Sequence, residues 1–103
     1  MNVKKAAKQL GLEESEYREI VQLFVKVSSV DLENLKSAIQ TNDTRIVFET
    51  SHSIKGAAVN LGFEEIAAVA GEMELNARRN SLDGSEQGYA VLKFKIENLT
   101  SCL

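Results

Sequence analysis

From Glu14 to Gln40 the residues Tyr17, Val21, Phe24, Ser28, Leu32, Leu35 and Ile39 return at intervals of three or four, and no proline occurs anywhere in the chain. That spacing lays a single apolar stripe along a helix and predicts one amphipathic helix of roughly 40 Å at 1.5 Å per residue. The β-branched cluster Val25-Lys26-Val27-Ser28-Ser29-Val30 favours a strand locally. The stripe runs through it without a break, which decides for helix.

A helix of that length needs partners along one whole side, and the remaining sequence supplies them. Val3 to Leu10 suits a short first helix, with Gly11 placed to stop it. Thr41-Asn42-Asp43 gives a turn and an N-cap for a helix from Thr44 to Leu61, and Gly62 sits where helices end in a left-handed residue. Glu64-Glu65 places acid at the start of a helix expected from Glu64 to Asn80, with Ile66, Ala70, Met73 and Ala77 on its stripe. Asn80-Ser81-Leu82-Asp83-Gly84-Ser85 is a loop by composition, and Ser85 is the expected cap of a last helix carrying Tyr89, Leu92, Ile96, Leu99 and Leu103. Connections this short make neighbouring helices antiparallel. The expectation is an all-α protein, an antiparallel up-down four-helix bundle with a short extra N-terminal helix, forming one domain over 1–103 without internal repeats.

The chain has 103 residues, 44% hydrophobic and 26% charged, which is ordinary globular composition for a single core. With no Trp, that core must be aliphatic and Phe-rich. A net charge of -3 with Lys and Arg scattered argues against a nucleic-acid surface and an acidic membrane surface. The longest apolar run, Ile66-Ala67-Ala68-Val69-Ala70, is too short to cross a bilayer, so a soluble, cytoplasmic, monomeric protein is expected. Met1 and the absence of linker composition favour a free-standing chain. Cys102 has no second thiol to pair with, which suits a half-buried small hydrophobe on the last helix. One histidine and one distant cysteine are too few ligands for a metal site.

That histidine, His52, is the candidate for chemistry. On a helical wheel at about 100° per residue, Ile46, Val47, Thr50, Ile54, Ala57, Ala58 and Leu61 fall on the half opposite His52. His52 therefore points away from the core. Arg45 and Gly56 share its face, Glu49 and Lys55 flank it, and Phe48 and Val59 lie within about 40°. Lys55, one turn on, can neutralise a phosphate on the imidazole, and Gly56 leaves the ring open to a partner although it costs about 1 kcal/mol against alanine inside a helix. The apolar pair Phe48 and Val59, with Arg45 and Glu49, forms a candidate docking rim. Each feature also has a plain structural explanation: a surface histidine, a solvated lysine, a glycine at a close helix contact. Their convergence on one residue favours function.

The run His52-Ser53-Ile54-Lys55-Gly56-Ala57-Ala58, continuing to Asn60-Leu61-Gly62, resembles the signature of histidine-containing phosphotransfer (HPt) domains, H-x-[LI]-K-G-[SAG]-[SAG] with a glycine about ten residues after the histidine. Ser51 to Gly56 and Gly62-Phe63 are also similar to the N-terminal phosphotransfer domain of chemotaxis histidine kinases. The resemblance implies a phosphorelay intermediate rather than an enzyme. Nε2 of His52 would accept a phosphoryl group from a receiver-domain aspartyl phosphate or a hybrid or chemotaxis-type histidine kinase, and pass it to a response-regulator aspartate. Lys55 would steady the phosphoryl oxygens. The chain has no Gly-rich nucleotide loop and no carboxylate cluster for Mg²⁺, so no cofactor of its own is expected and the partner receiver would bring the metal. In the chemotaxis relatives a glutamate on the next helix holds the other ring nitrogen, and the matching position is Glu74; a solvated acid is the alternative there. Ser53 stands where kinase dimerisation domains usually carry an acid, which argues against self-phosphorylation. A helical binding module that carries no phosphate is the competing class, and a missing His52 or Lys55 would mark it.

Overall fold

The computed structural model describes residues 2–103, apart from the side chain of Cys102; the readings made for Met1 and for the Cys102 thiol fall outside what is described. The helices are α1 (Val3–Gln9), α2 (Glu14–Gln40), α3 (Thr44–Leu61), α4 (Glu64–Arg78) and α5 (Ser85–Glu97), with a 3₁₀ turn at Thr100–Cys102. The molecule is 41 Å long and 19 by 17 Å across, so α2 alone runs nearly its whole length. α2 packs on α3 and α5, and α4 on the same two, closing a four-helix ring; α1 rests on α2. No strand occurs among the described residues.

The apolar stripes form the core as the spacing predicts. Tyr17, Val21, Phe24, Leu32 and Leu35 of α2 are buried with Val47, Ile54 and Ala58 of α3, Ile66, Ala70, Met73 and Ala77 of α4, and Leu92 and Ile96 of α5. Ser28 is buried on the same stripe, and at its C-terminal end Ala38 takes the buried place while Ile39 is half-buried. The valine cluster stays helical because Val27 and Val30 face solvent and Val25 only partly packs, leaving the stripe to hold the segment.

Helix ends follow local chemistry. Asp43 accepts from the Ile46 N–H at 3.1 Å, capping α3. Gly62 ends α3 at φ 77°, and the Phe63 N–H closes the turn on the Ala58 carbonyl at 2.9 Å. Phe63 then sets its ring against Phe24 of α2, centroids 5.3 Å apart.

Three expected boundaries shift. α1 ends at Gln9, one residue early, with Gly11 left-handed just beyond. α4 stops at Arg78 because Asn80 is left-handed at φ 58° and the Ser81 N–H turns back to the Asn76 carbonyl. Ser85 is not the cap of α5: Gly84, left-handed, occupies the cap position and Ser85 is a buried first residue of the helix. The α5 stripe continues in packing beyond the α-helix, since Leu99 is buried and Leu103 partly so in the turn that follows.

Candidate functional site

α3 and α4 are joined by a two-residue turn and run side by side, so their facing residues pair in antiparallel order. Phe48 meets Arg78, His52 meets Glu74 and Lys55 meets Gly71. The candidate residues lie along this seam.

The His52 side chain is 64% exposed, as its place opposite the core requires. Its Nδ1 lies 2.8 Å from Oε2 of Glu74. Glu74 is not the solvated acid that was the alternative: its side chain is only 8% exposed, because it follows Met73 into the α3–α4 seam. Its second oxygen, Oε1, accepts from the Lys55 ammonium at 2.9 Å. Burial alone would push the Glu74 pKa up, yet hydrogen bonds from Lys55 and His52 and their positive charge outweigh it, and the pKa lies below the ordinary carboxylate value. Glu74 is therefore an anion that can only accept hydrogen bonds. Nδ1 of His52 must be the donor, which leaves the lone pair of a neutral imidazole on Nε2, the nitrogen not held by Glu74. An imidazole so arranged can act as a nucleophile.

Lys55 differs from a solvated lysine: its side chain is 35% exposed and its ammonium pairs with Glu74. Gly56 is exposed, and a Cβ there would meet nothing within 4 Å, so close helix packing does not explain the glycine. Phe48, half-buried, lies nearly parallel to the imidazole with centroids 6.0 Å apart, and the Arg78 guanidinium sits 5.6 Å from its ring centre. Val59 is 61% exposed. Arg45 and Glu49 pair with each other at 3.5 Å on the surface, an arrangement worth little energetically.

Several contacts escaped the sequence reading. Ser51 is fully buried and donates to the Val47 carbonyl at 2.6 Å, satisfying its hydroxyl within its own helix. Ser53 donates to Asp31 of α2 at 3.0 Å, and beside that bond Leu23 and Val27 line an open apolar groove with Ala57. Arg78 and Gly71 become visible only once α4 is laid antiparallel to α3 from the Gly62 turn. Among the described residues no group of three or more His, Cys, Asp or Glu side chains is placed to hold a metal ion, and no helix is long and apolar enough to cross a membrane.

The phosphorelay intermediate protein rdeA of Dictyostelium discoideum is 25% identical over 85 residues, 82% of this chain and 34% of that protein. The chain thus spans about a third of the length of that curated relative. The crystal structure of histidine-containing phosphotransfer protein B (HptB) from Pseudomonas aeruginosa PAO1 superposes with a TM-score of 0.68 at 27% identity, covering 95% of this chain and 91% of that one. The Hpt domain family model matches residues 19–101, so this chain belongs to the Hpt domain family.

Proposed function

We propose that His52 is the residue through which this histidine phosphotransfer domain carries its phosphoryl group. The observation that carries the assignment is the exposed imidazole whose Nδ1 is held by the buried Glu74 carboxylate, which directs the nucleophilic lone pair to Nε2. Nε2 attacks the phosphorus of an aspartyl phosphate on a receiver domain; the P–N bond forms as the P–O bond to the aspartate breaks, and the carboxylate leaves. The reverse step delivers the group to the aspartate of a second receiver. Phosphoryl transfer of this kind needs positioning and charge neutralisation more than covalent help. Lys55 supplies a cation one helical turn from His52, and the receiver supplies Mg²⁺.

The partners are response-regulator receiver domains and a hybrid or chemotaxis-type kinase. They dock on the face that carries Gly56, Phe48 and Val59, extended toward α2 by Leu23 and Val27. A radiolabelled phosphorylated receiver from the host tests the assignment. Label passes to the wild-type protein and not to His52→Gln; equal transfer to both overturns it.

A further inference from the structure

Three glycines lie within helices, and a side chain would find different surroundings at each. A Cβ on Gly56 would meet open space, and one on Gly88 would collide with Met73 Sδ at 2.8 Å in the packing between α5 and α4. At Gly71, in the middle of α4, the Cβ would stand 3.2 Å from Cδ and 4.0 Å from Cγ of Lys55, and no other tertiary neighbour among the described residues comes within 4 Å. A glycine in a helix interior sacrifices stability relative to alanine, and here the missing methyl group corresponds to the path of one side chain. The Lys55 stem crosses α4 over Gly71, and its ammonium then reaches Glu74, one turn further along the same helix, at 2.9 Å. That carboxylate holds His52.

We infer that Gly71 is a positioning residue for phosphotransfer: it forms the seat over which Lys55 reaches Glu74, and through Glu74 it sets the orientation of the His52 ring. This rests on His52 being the phosphoryl carrier. A Cβ at this position would press on Cδ of a lysine that is pinned at both ends, by its backbone on α3 and by its ammonium on Glu74. A methyl group at position 71 moves the middle of the stem outward and lengthens the reach to the carboxylate.

Gly71→Ala tests the inference, in the wild-type background and with Lys55→Ala, using a radiolabelled phosphorylated receiver that transfers to the wild type. Gly71→Ala is expected to keep or raise the melting temperature, because alanine favours the helix. It should slow transfer about fivefold, within the coupling range of residues in contact, and carboxyl NMR should show the Glu74 titration moving up toward the ordinary value as the ammonium withdraws. In the Lys55→Ala background the same change should alter the rate less than about twofold, since the stem it displaces is gone. Wild-type rate and titration in Gly71→Ala overturn the inference, as does an undiminished loss in the Lys55→Ala background. The Glu74 titration needs no phosphate, so it reads the seat even if His52→Gln shows that another residue carries the label.

Discussion

Oε2 of Glu74 lies 2.8 Å from Nδ1 of His52, so the most buried carboxylate of the site fixes the proton on an imidazole that is itself largely in solvent. The two side chains come from different helices, 22 positions apart. Removing the acceptor while leaving the ring in place separates orientation from nucleophilicity. Glu74→Ala is expected to slow phosphotransfer by about tenfold or more, given about 1.5–3 kcal/mol for a hydrogen bond to a charged group. In the same variant NMR should show His52 shifting from the Nδ1–H tautomer to a mixture. An unchanged tautomer and an unchanged rate together would show the contact to be incidental.

The same carboxylate makes stability depend on pH. Its pKa in the folded protein lies below the unfolded reference of 4.5 because the Lys55 and His52 partners outweigh burial. A depressed folded pKa means stability that is present above the unfolded value and is lost as pH falls through the folded value. Denaturant midpoints measured from about pH 6 down to about pH 3 should decline, and Glu74→Gln should decline less steeply across that window. Parallel slopes for the two proteins would remove Glu74 from the acid sensitivity.

Gly56 separates folding from docking. A side chain there meets no atom of the protein itself, so Gly56→Ala should gain up to about 1 kcal/mol of stability from helix propensity. Transfer should nevertheless fall, and fall further with Gly56→Leu, because the added atoms stand one turn from the reacting ring on the exposed face. A leucine variant that is more stable and transfers at the wild-type rate would show that partners do not approach from this side.

Phe48 and Val59 should weaken transfer for different reasons. Val59 is exposed, so Val59→Ala should leave stability within about 0.5 kcal/mol and act only on the rate. Phe48 is half-buried between His52 and Arg78, so Phe48→Ala should lower stability by about 1 kcal/mol or more as well as slow transfer. Denaturation paired with transfer assays reads both; wild-type rates would make the patch irrelevant to docking.

The parts of this molecule legible in the sequence are those that one helix determines by itself. The α2 stripe from Tyr17 to Leu35, the Asp43 cap and the left-handed Gly62 follow from periodicity and backbone chemistry within a few residues. So does the outward aim of His52, because the wheel of α3 needs no knowledge of its neighbours. The Lys55–Glu74 pair, the burial of Ser51 and the contact of Gly71 with the lysine stem depend on how α4 lies against α3. A wheel of α3 alone puts Lys55 beside the histidine in solvent, whereas the seam draws it onto a carboxylate. The cap of α5 was misplaced for a local reason: serine is the commoner cap, but a left-handed residue was needed there and glycine was adjacent.

The turn at Gly62 carries a further consequence. Its positive φ and the Phe63–Ala58 hydrogen bond reverse the chain within two residues, and Phe63 is anchored on Phe24, so α4 starts from a fixed point with a fixed angular phase. Like two meshed gears, α3 and α4 then bring partners together at a set offset, and one residue added between Gly62 and Glu74 would advance α4 by about 100° and carry the carboxylate out of mesh. The handedness of a single backbone angle, ten residues beyond His52, thus selects which nitrogen of that ring holds its proton.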